Sequence, residues 1–210
     1  SGNNMPLPSQ LFVSGTDTDI GKTVISGILV AGLKARYWKP VQTGLREGTD
    51  SDWIRARTGI PASHVFPEAY TLQEPLSPHA AAAREDVHID LDDFSLPRVS
   101  PGEALIVEGA GGIMVPLNKD HYMLDLIKQL GLPVLLVARS GLGTINHTLL
   151  SLTQLRRSDI EIAGVVMNGP RNPGNREAIE TYGGVDVVAE VEPLGELSSA
   201  SLAACFEECF

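Results

Sequence analysis

Nine consecutive residues, Gly15-Thr16-Asp17-Thr18-Asp19-Ile20-Gly21-Lys22-Thr23, combine side chains and spacing suited to holding a polyphosphate. An apolar run, Leu11-Phe12-Val13, precedes them, and a helix-like segment opening on Val24-Ile25-Ser26 follows. A strand that turns sharply into a helix aims free backbone N–H groups, here from Gly15 through Val24, at one spot. The positive end of the helix dipole lies behind them. Lys22 then brings a charge near the β- and γ-phosphates, and the Thr23 hydroxyl can ligate Mg²⁺. Five residues, Thr16 to Ile20, separate the first glycine from the Gly-Lys pair, one more than in the usual phosphate loop. A glycine-rich turn with a solvated lysine is the plainer reading. The order strand, loop, helix, with Lys-Thr at its end, favours phosphate binding.

Further polar groups fall where such a loop could use them. Lys39 stands in Lys39-Pro40-Val41-Gln42-Thr43-Gly44 near the carboxyl end of an expected second strand, within reach of the crevice that Lys22 faces. Asp50-Ser51-Asp52 opens an expected helix 52–57, and either carboxylate can be a metal ligand or simply a helix cap. Glu108 directly follows Leu105-Ile106-Val107, so it sits at an expected strand tip, where a carboxylate is costly unless paired or metal-bound. The glycines after it, Gly109, Gly111 and Gly112, let a backbone approach a ligand closely. A second loop, Ser140-Gly141-Leu142-Gly143-Thr144-Ile145-Asn146-His147, also leaves a strand and enters a helix, exposing free N–H groups. Two anion sites suggest a nucleotide plus an acidic substrate. His147 and His79 read as structural.

These groups need a scaffold, and the apolar pattern supplies one. Strands are expected at 11–14, 37–41, 103–107, 133–138, 162–167 and 185–191. Helices are expected at 24–35, 122–130, 144–157 and 199–210. Nearly continuous β-branched runs suit strands covered on both faces. The expectation is therefore an α/β fold: one doubly wound, mostly parallel sheet of the P-loop NTPase kind, helices on both faces, ligands beyond the strands' carboxyl ends. Residues 44–101, rich in proline, read as short helices and substrate-facing loops. Residues 1–4 read as a cloning remnant and 5–210 as a single domain.

Composition narrows the partners. With 16 basic and 26 acidic residues the formal charge is −10, which disfavours nucleic acid and gives no basic patch for a membrane surface. No stretch reads as a membrane span or signal peptide. Cys205 and Cys209, the chain's 2 cysteines, lie four apart and lack metal-site spacing; they read as reduced thiols of a cytoplasmic protein.

Taken together the motifs resemble the dethiobiotin synthetase family. The matching stretches are Gly15–Thr23, Trp38–Gly44, Glu74–His79, Val107–Gly112, Ile145–His147 and Val165–Asn168. Partitioning-type ATPases carry a second lysine after the first glycine, where this chain has Thr16. The family's Gly-Glu-Ile-Pro-like segment is replaced by Ala189-Glu190-Val191-Glu192-Pro193. The resemblance implies a homodimeric enzyme that uses ATP and Mg²⁺ to close the ureido ring of dethiobiotin from 7,8-diaminononanoate and CO₂. The route runs through a carbamate and a carbamic–phosphoric anhydride and yields ADP and phosphate. It implies Lys39, Lys22 and Thr18 as catalytic, Thr23, Asp52 and Glu108 as Mg²⁺ ligands, and Asn168 beside the adenine. Substrate would meet Lys39, Thr43 and Gly111, while Gly143, Thr144, Ile145 and Asn146 grip its distant carboxylate from the partner subunit. A related amidoligase domain or a nucleotide-switch regulator is the alternative. The first needs an ammonia source, for which neither the cysteines nor the 210 residues leave room.

Overall fold

The computed structural model describes residues 6–210; the expected remnant at 1–4 lies outside them. Strand β1 (Gln10–Gly15) runs into the phosphate loop and helix α1 (Lys22–Leu33) leaves it. There follow β2 (Arg36–Trp38), β3 (Val41–Thr43), α2 (Asp50–Thr58), β4 (Val65–Phe66), β5 (Tyr70–Leu72) and α3 (Pro78–Arg84). The second half alternates regularly. It comprises β6 (Leu105–Gly112), α4 (Met123–Leu130), β7 (Val134–Arg139), α5 (Thr144–Arg157), β8 (Ile162–Asn168), α6 (Pro173–Gly183), β9 (Val187–Val191) and α7 (Ser199–Cys209). Seven strands in the order β4-β2-β6-β1-β7-β8-β9 pair in parallel throughout, and β3 and β5 form a separate parallel pair.

Both faces of this sheet are covered, which is why its strands read as unbroken apolar runs. Along β1 the side chains alternate: Leu11 and Val13 pack with Ile25, Ile28 and Leu202 in the layer under α1 and α7. Phe12 packs with Leu126, Leu152 and Leu155 in the opposite layer, under α4 and α5. Each such fully buried side chain stabilises the fold by about 1.5–3 kcal/mol relative to exposure.

Four expectations need correction. The strand expected at 37–41 stops at Trp38, because Pro40 has no N–H for the ladder. The Pro40 carbonyl instead accepts from Ala69 and Tyr70 at 2.9 and 3.1 Å, and this seeds the β3–β5 pair inside a region read as loop and helix. Strand β6 does not end at Val107 but continues through Gly112, so Glu108 lies within a strand rather than at its tip. Between the pairs Val13–Glu108 and Gly15–Gly112 it carries extra residues as a bulge, where Gly111 takes φ +66. Helix α2 starts at Asp50, two residues early, with the Thr49 hydroxyl accepting from Asp52 N at 3.0 Å. Helix α6 went unread; the Asn172 side chain caps it through Asn175 N at 3.0 Å and Pro173 opens it.

Arg36 fixes the start of β2 by a two-pronged contact with Glu103, at 2.9 and 2.8 Å, while Ser100 N donates to the same carboxylate at 2.9 Å. Those donors, the guanidinium first, hold the Glu103 carboxyl down from 4.5 to about 2. A depressed carboxylate stabilises the fold above its unfolded value and loses that contribution as pH falls toward its folded one. Glu103→Gln is therefore expected to flatten the stability-versus-pH curve between 4.5 and about 2 while leaving its shape above that window unchanged, as read by thermal melts across an acid series. A mutant curve parallel to that of the unaltered protein through this window would sink the claim.

Candidate functional site

The phosphate loop is held from three sides. Gly21, the residue before α1, has φ +92, and a Cβ there would lie 2.1 Å from Asn168 Nδ2. Only glycine meets both demands. Asn168, at the carboxyl end of β8, donates from Nδ2 to the Ile20 carbonyl at 2.8 Å. Val137 of β7 accepts from Thr16 N at 3.0 Å. At the loop's apex Thr18 N donates to Asp17 Oδ1 at 2.7 Å, and Arg139 reaches Asp17 Oδ2 and the Thr18 carbonyl at 3.4 Å each. The Thr18 N–H, then the Arg139 charge, keep the Asp17 carboxyl below its usual range against its slight burial. Thr18 and Asp19 are exposed, and Lys22 folds back so that Nζ donates to the Asp17 carbonyl at 3.3 Å.

Beside the loop lies a buried polar cluster. Lys39 Nζ sits 2.6 Å from Asp50 Oδ2 and 3.0 Å from Glu108 Oε2, and donates to the Gly109 carbonyl at 2.9 Å. Thr23 Oγ1 donates to the same Glu108 oxygen at 2.9 Å, and the Tyr37 hydroxyl to Oε1 at 3.1 Å. Lys39 is 4% and Glu108 1% exposed, so these charges act in a medium where attraction is far stronger than in water. Burial alone would lower the Lys39 ammonium, yet Glu108 and Asp50 hold it above its ordinary value. The Asp50 carboxyl is kept low by Lys39 in spite of burial. Burial, then the charge on Lys39, pushes Lys22 below its ordinary value. Thr23, next to Lys22 in the chain, bonds the same Glu108 oxygen as Lys39, so the cluster adjoins the phosphate loop.

The sequence placed Asp52 here; the fold places Asp50. Asp52 is exposed on α2, its backbone N–H spent on the Thr49 cap, whereas Asp50 turns in under the guidance of Gln42. Gln42 Oε1 accepts from Asp50 N at 2.9 Å and its Nε2 donates to the Thr43 carbonyl at 2.8 Å, tying β3 to the start of α2. Thr43 itself is half-buried at the end of β3. Gly111, in the bulge, lies against Thr18: a Cβ on it would stand 3.6 Å from Oγ1.

Gly143 precedes α5 with φ +96, leaving the first N–H groups of that helix without a side-chain cap; Thr144 is buried, Ile145 half-buried and Asn146 exposed. Among the described residues no hydrogen bond joins this loop to the Lys39 cluster. A cavity of about 400 Å³ opens between Thr16 and Thr18 of the phosphate loop, Met114 and Val115 after the bulge, and His147 and Leu150 of α5. Its walls are largely apolar.

Residues 9–201 match a family profile described as AAA domain. Over 193 residues the chain is 53% identical to an ATP-dependent dethiobiotin synthetase of Paramagnetospirillum magneticum, with 92% of each protein covered. The chain belongs to the dethiobiotin synthetase family. A second member of this family of ATP-dependent ligases, from Rhodopseudomonas palustris, is 44% identical over 204 residues, 97% of each chain. In fold the chain is similar to a ParA family ATPase from Chlorobium tepidum, with a TM-score of 0.54 at 12% identity over 94% of this chain and 96% of that one. The chain thus sets a dethiobiotin synthetase sequence on a P-loop NTPase sheet.

Sequence reasoning missed Gln42, Tyr37 and Arg139, and it left Asp50 and Asp52 level until the resemblance favoured Asp52. Tyr37 was within reach: it lies two residues before Lys39, and alternation along a strand puts both on one face. Asp50 was not, because choosing between two carboxylates on a new helix depends on where the helix begins.

Proposed function

We propose that the chain closes the ureido ring of dethiobiotin from 7,8-diaminononanoate and CO₂ with ATP and Mg²⁺. One observation carries the reading: a buried lysine, Lys39, meets at 3.0 Å the Glu108 oxygen that Thr23, the residue after Lys22 at the end of the phosphate loop, bonds at 2.9 Å. A triphosphate alone needs one such charge. A second anion brought in line with it needs more.

In this reading CO₂ adds to one substrate amine and a proton leaves, giving a carbamate. Lys22 follows the triphosphate while Lys39 draws in the carbamate, whose oxygen attacks the γ-phosphorus as the bond to ADP breaks. The neighbouring amine then attacks the carbamate carbon, loses a proton and expels phosphate. Thr43 and the backbone at Gly111 face the carbamate end, and the Thr18 hydroxyl faces the phosphates. With Asn168 Nδ2 already bonded to Ile20, its Oδ1 is the atom left to accept from the adenine amino group.

The Mg²⁺ ligands would be Thr23, Asp50 and Glu108. A hydroxyl and two carboxylates are hard oxygen donors, and Mg²⁺ commonly takes one or two carboxylates and completes its shell with phosphate and water. Bound there, the ion neutralises charge on the β- and γ-phosphates. We read the enzyme as a cytoplasmic homodimer: Leu142 at 106% and Leu150 at 63% exposure crown the α5 loop and helix, an apolar surface that a second copy would cover. The partner's Gly143–Asn146 segment would then offer its free N–H groups to the substrate carboxylate.

The test is direct. Incubated with ATP, Mg²⁺, bicarbonate and the diamine, the protein is expected to release ADP only when the diamine is present and to form the cyclic urea. ADP release indifferent to the diamine would remove the reading.

A further inference from the structure

We propose that Tyr37 is a positioning residue whose hydroxyl locks the Glu108 carboxylate in one orientation, keeping Oε2 aimed at the cation site beside Thr23. This rests on the Mg²⁺ reading above. Tyr37 on β2 pairs with Ile106 on β6, and Glu108 lies two residues further along the same face of that neighbouring strand. A tyrosine leaning along the strand reaches such a diagonal neighbour. The ring is 0% exposed, within the apolar layer shared by Leu11, Ile25 and Ile54.

Two facts argue that the hydroxyl is there for Glu108. First, nothing in the packing calls for it: phenylalanine would fill the same apolar space, whereas a buried hydroxyl costs stability unless bonded. Its hydrogen bond is to Glu108 Oε1 at 3.1 Å. Second, the two Glu108 oxygens are served separately: Tyr37 holds Oε1, while Thr23 and Lys39 meet Oε2 at 2.9 and 3.0 Å. Rotating the carboxylate breaks both sets at once. Without Tyr37 the group keeps its partners on one side only and can swing, so the oxygen presented to a metal is no longer fixed.

The full-length chain with Tyr37→Phe serves as the test, with Trp38→Phe as control. The control deletes a neighbouring donor, Trp38 Nε1, which bonds the Pro67 carbonyl at 3.0 Å from the other face of β2. Metal affinity is measured calorimetrically by titrating Mg²⁺ into protein with ADP, and by the electron-paramagnetic signal of Mn²⁺. Removing a group that orients a metal ligand typically weakens metal binding about 10- to 100-fold, and that loss is expected for Tyr37→Phe alone. ADP binding in chelator is expected to stay unchanged in both variants. Unaltered metal affinity in Tyr37→Phe overturns the proposal, as does an equal loss of ADP binding in chelator, which would mark a structural defect. ADP binding by the unaltered protein that ignores Mg²⁺ overturns the metal reading itself, and this role with it.

Discussion

Replacing Lys39 by Ala is expected to lower the turnover number for ring closure at least about a hundredfold, the usual cost of deleting one preorganised charge stabiliser. The expectation follows from where the ammonium sits. It is 5% exposed at the side chain and lies 2.6 and 3.0 Å from two carboxylates, so its position is fixed before any substrate arrives. The same geometry warns of a second effect. Taking one partner out of a buried ionic group leaves the others uncompensated, at a cost of about 3–5 kcal/mol. Asp50 and Glu108 would then repel each other across the gap. Loss of activity must therefore be separated from loss of fold. Lys39→Met keeps the apolar stem and tests the charge alone, and ADP binding reports the fraction of folded protein in both variants. The expected pattern is a collapsed kcat per ADP-competent site, with the KM for ATP much less affected because Lys22 and the loop N–H groups remain. Near-normal turnover in Lys39→Met would show that the second charge plays no part in bringing the two anions together.

Much of this architecture was legible because it rests on periodicity. The parallel sheet announced itself in runs such as Leu105-Ile106-Val107 and Val134–Val137, where both faces are buried and no alternation survives. The phosphate loop was legible for a different reason: its function demands glycines at fixed offsets, and Gly21 meets its demand at φ +92. What stayed hidden depends on contacts between segments distant in the chain. Strand β5 exists because the Pro40 carbonyl waits for Ala69 and Tyr70, a pairing no local pattern encodes. The continuation of β6 through Glu108 to Gly112 contradicts local propensity, since a glycine run reads as a turn; pairing of Gly112 with Gly15 overrides it. Helix α6 has a weak apolar face, with Ile179 and Gly183 its only buried residues, so its period could not be read. Arg139 was passed over because it lies just beyond the expected strand 133–138, yet it reaches back 122 positions to Asp17.

The second large effect separates two neighbouring carboxylates. Asp50→Asn is expected to reduce kcat at least about a hundredfold, as befits loss of a fixed charge next to the reacting anions. Asp52→Asn is expected to change folding stability by no more than about 0.5 kcal/mol, the range for an exposed site without special contacts, and to leave kcat near its unaltered value. The contrast arises at the first turn of α2. With Thr49 as cap, Asp50 takes the first helical position, where Gln42 Oε1 holds its N–H at 2.9 Å and its side chain turns toward Lys39. Two positions on, a helix has rotated by more than half a turn, so Asp52 points to solvent. Sequence alone gives both residues equal standing as caps or ligands; the helix start decides between them. Measured side by side at saturating ATP and varied Mg²⁺, the Asp50 variant should also demand more metal for half-maximal rate, and the Asp52 variant should not. If the ranking came out reversed, α2 would have to begin two residues later in the working enzyme, carrying Asp50 away from Lys39 and leaving the ammonium with Glu108 as its sole carboxylate.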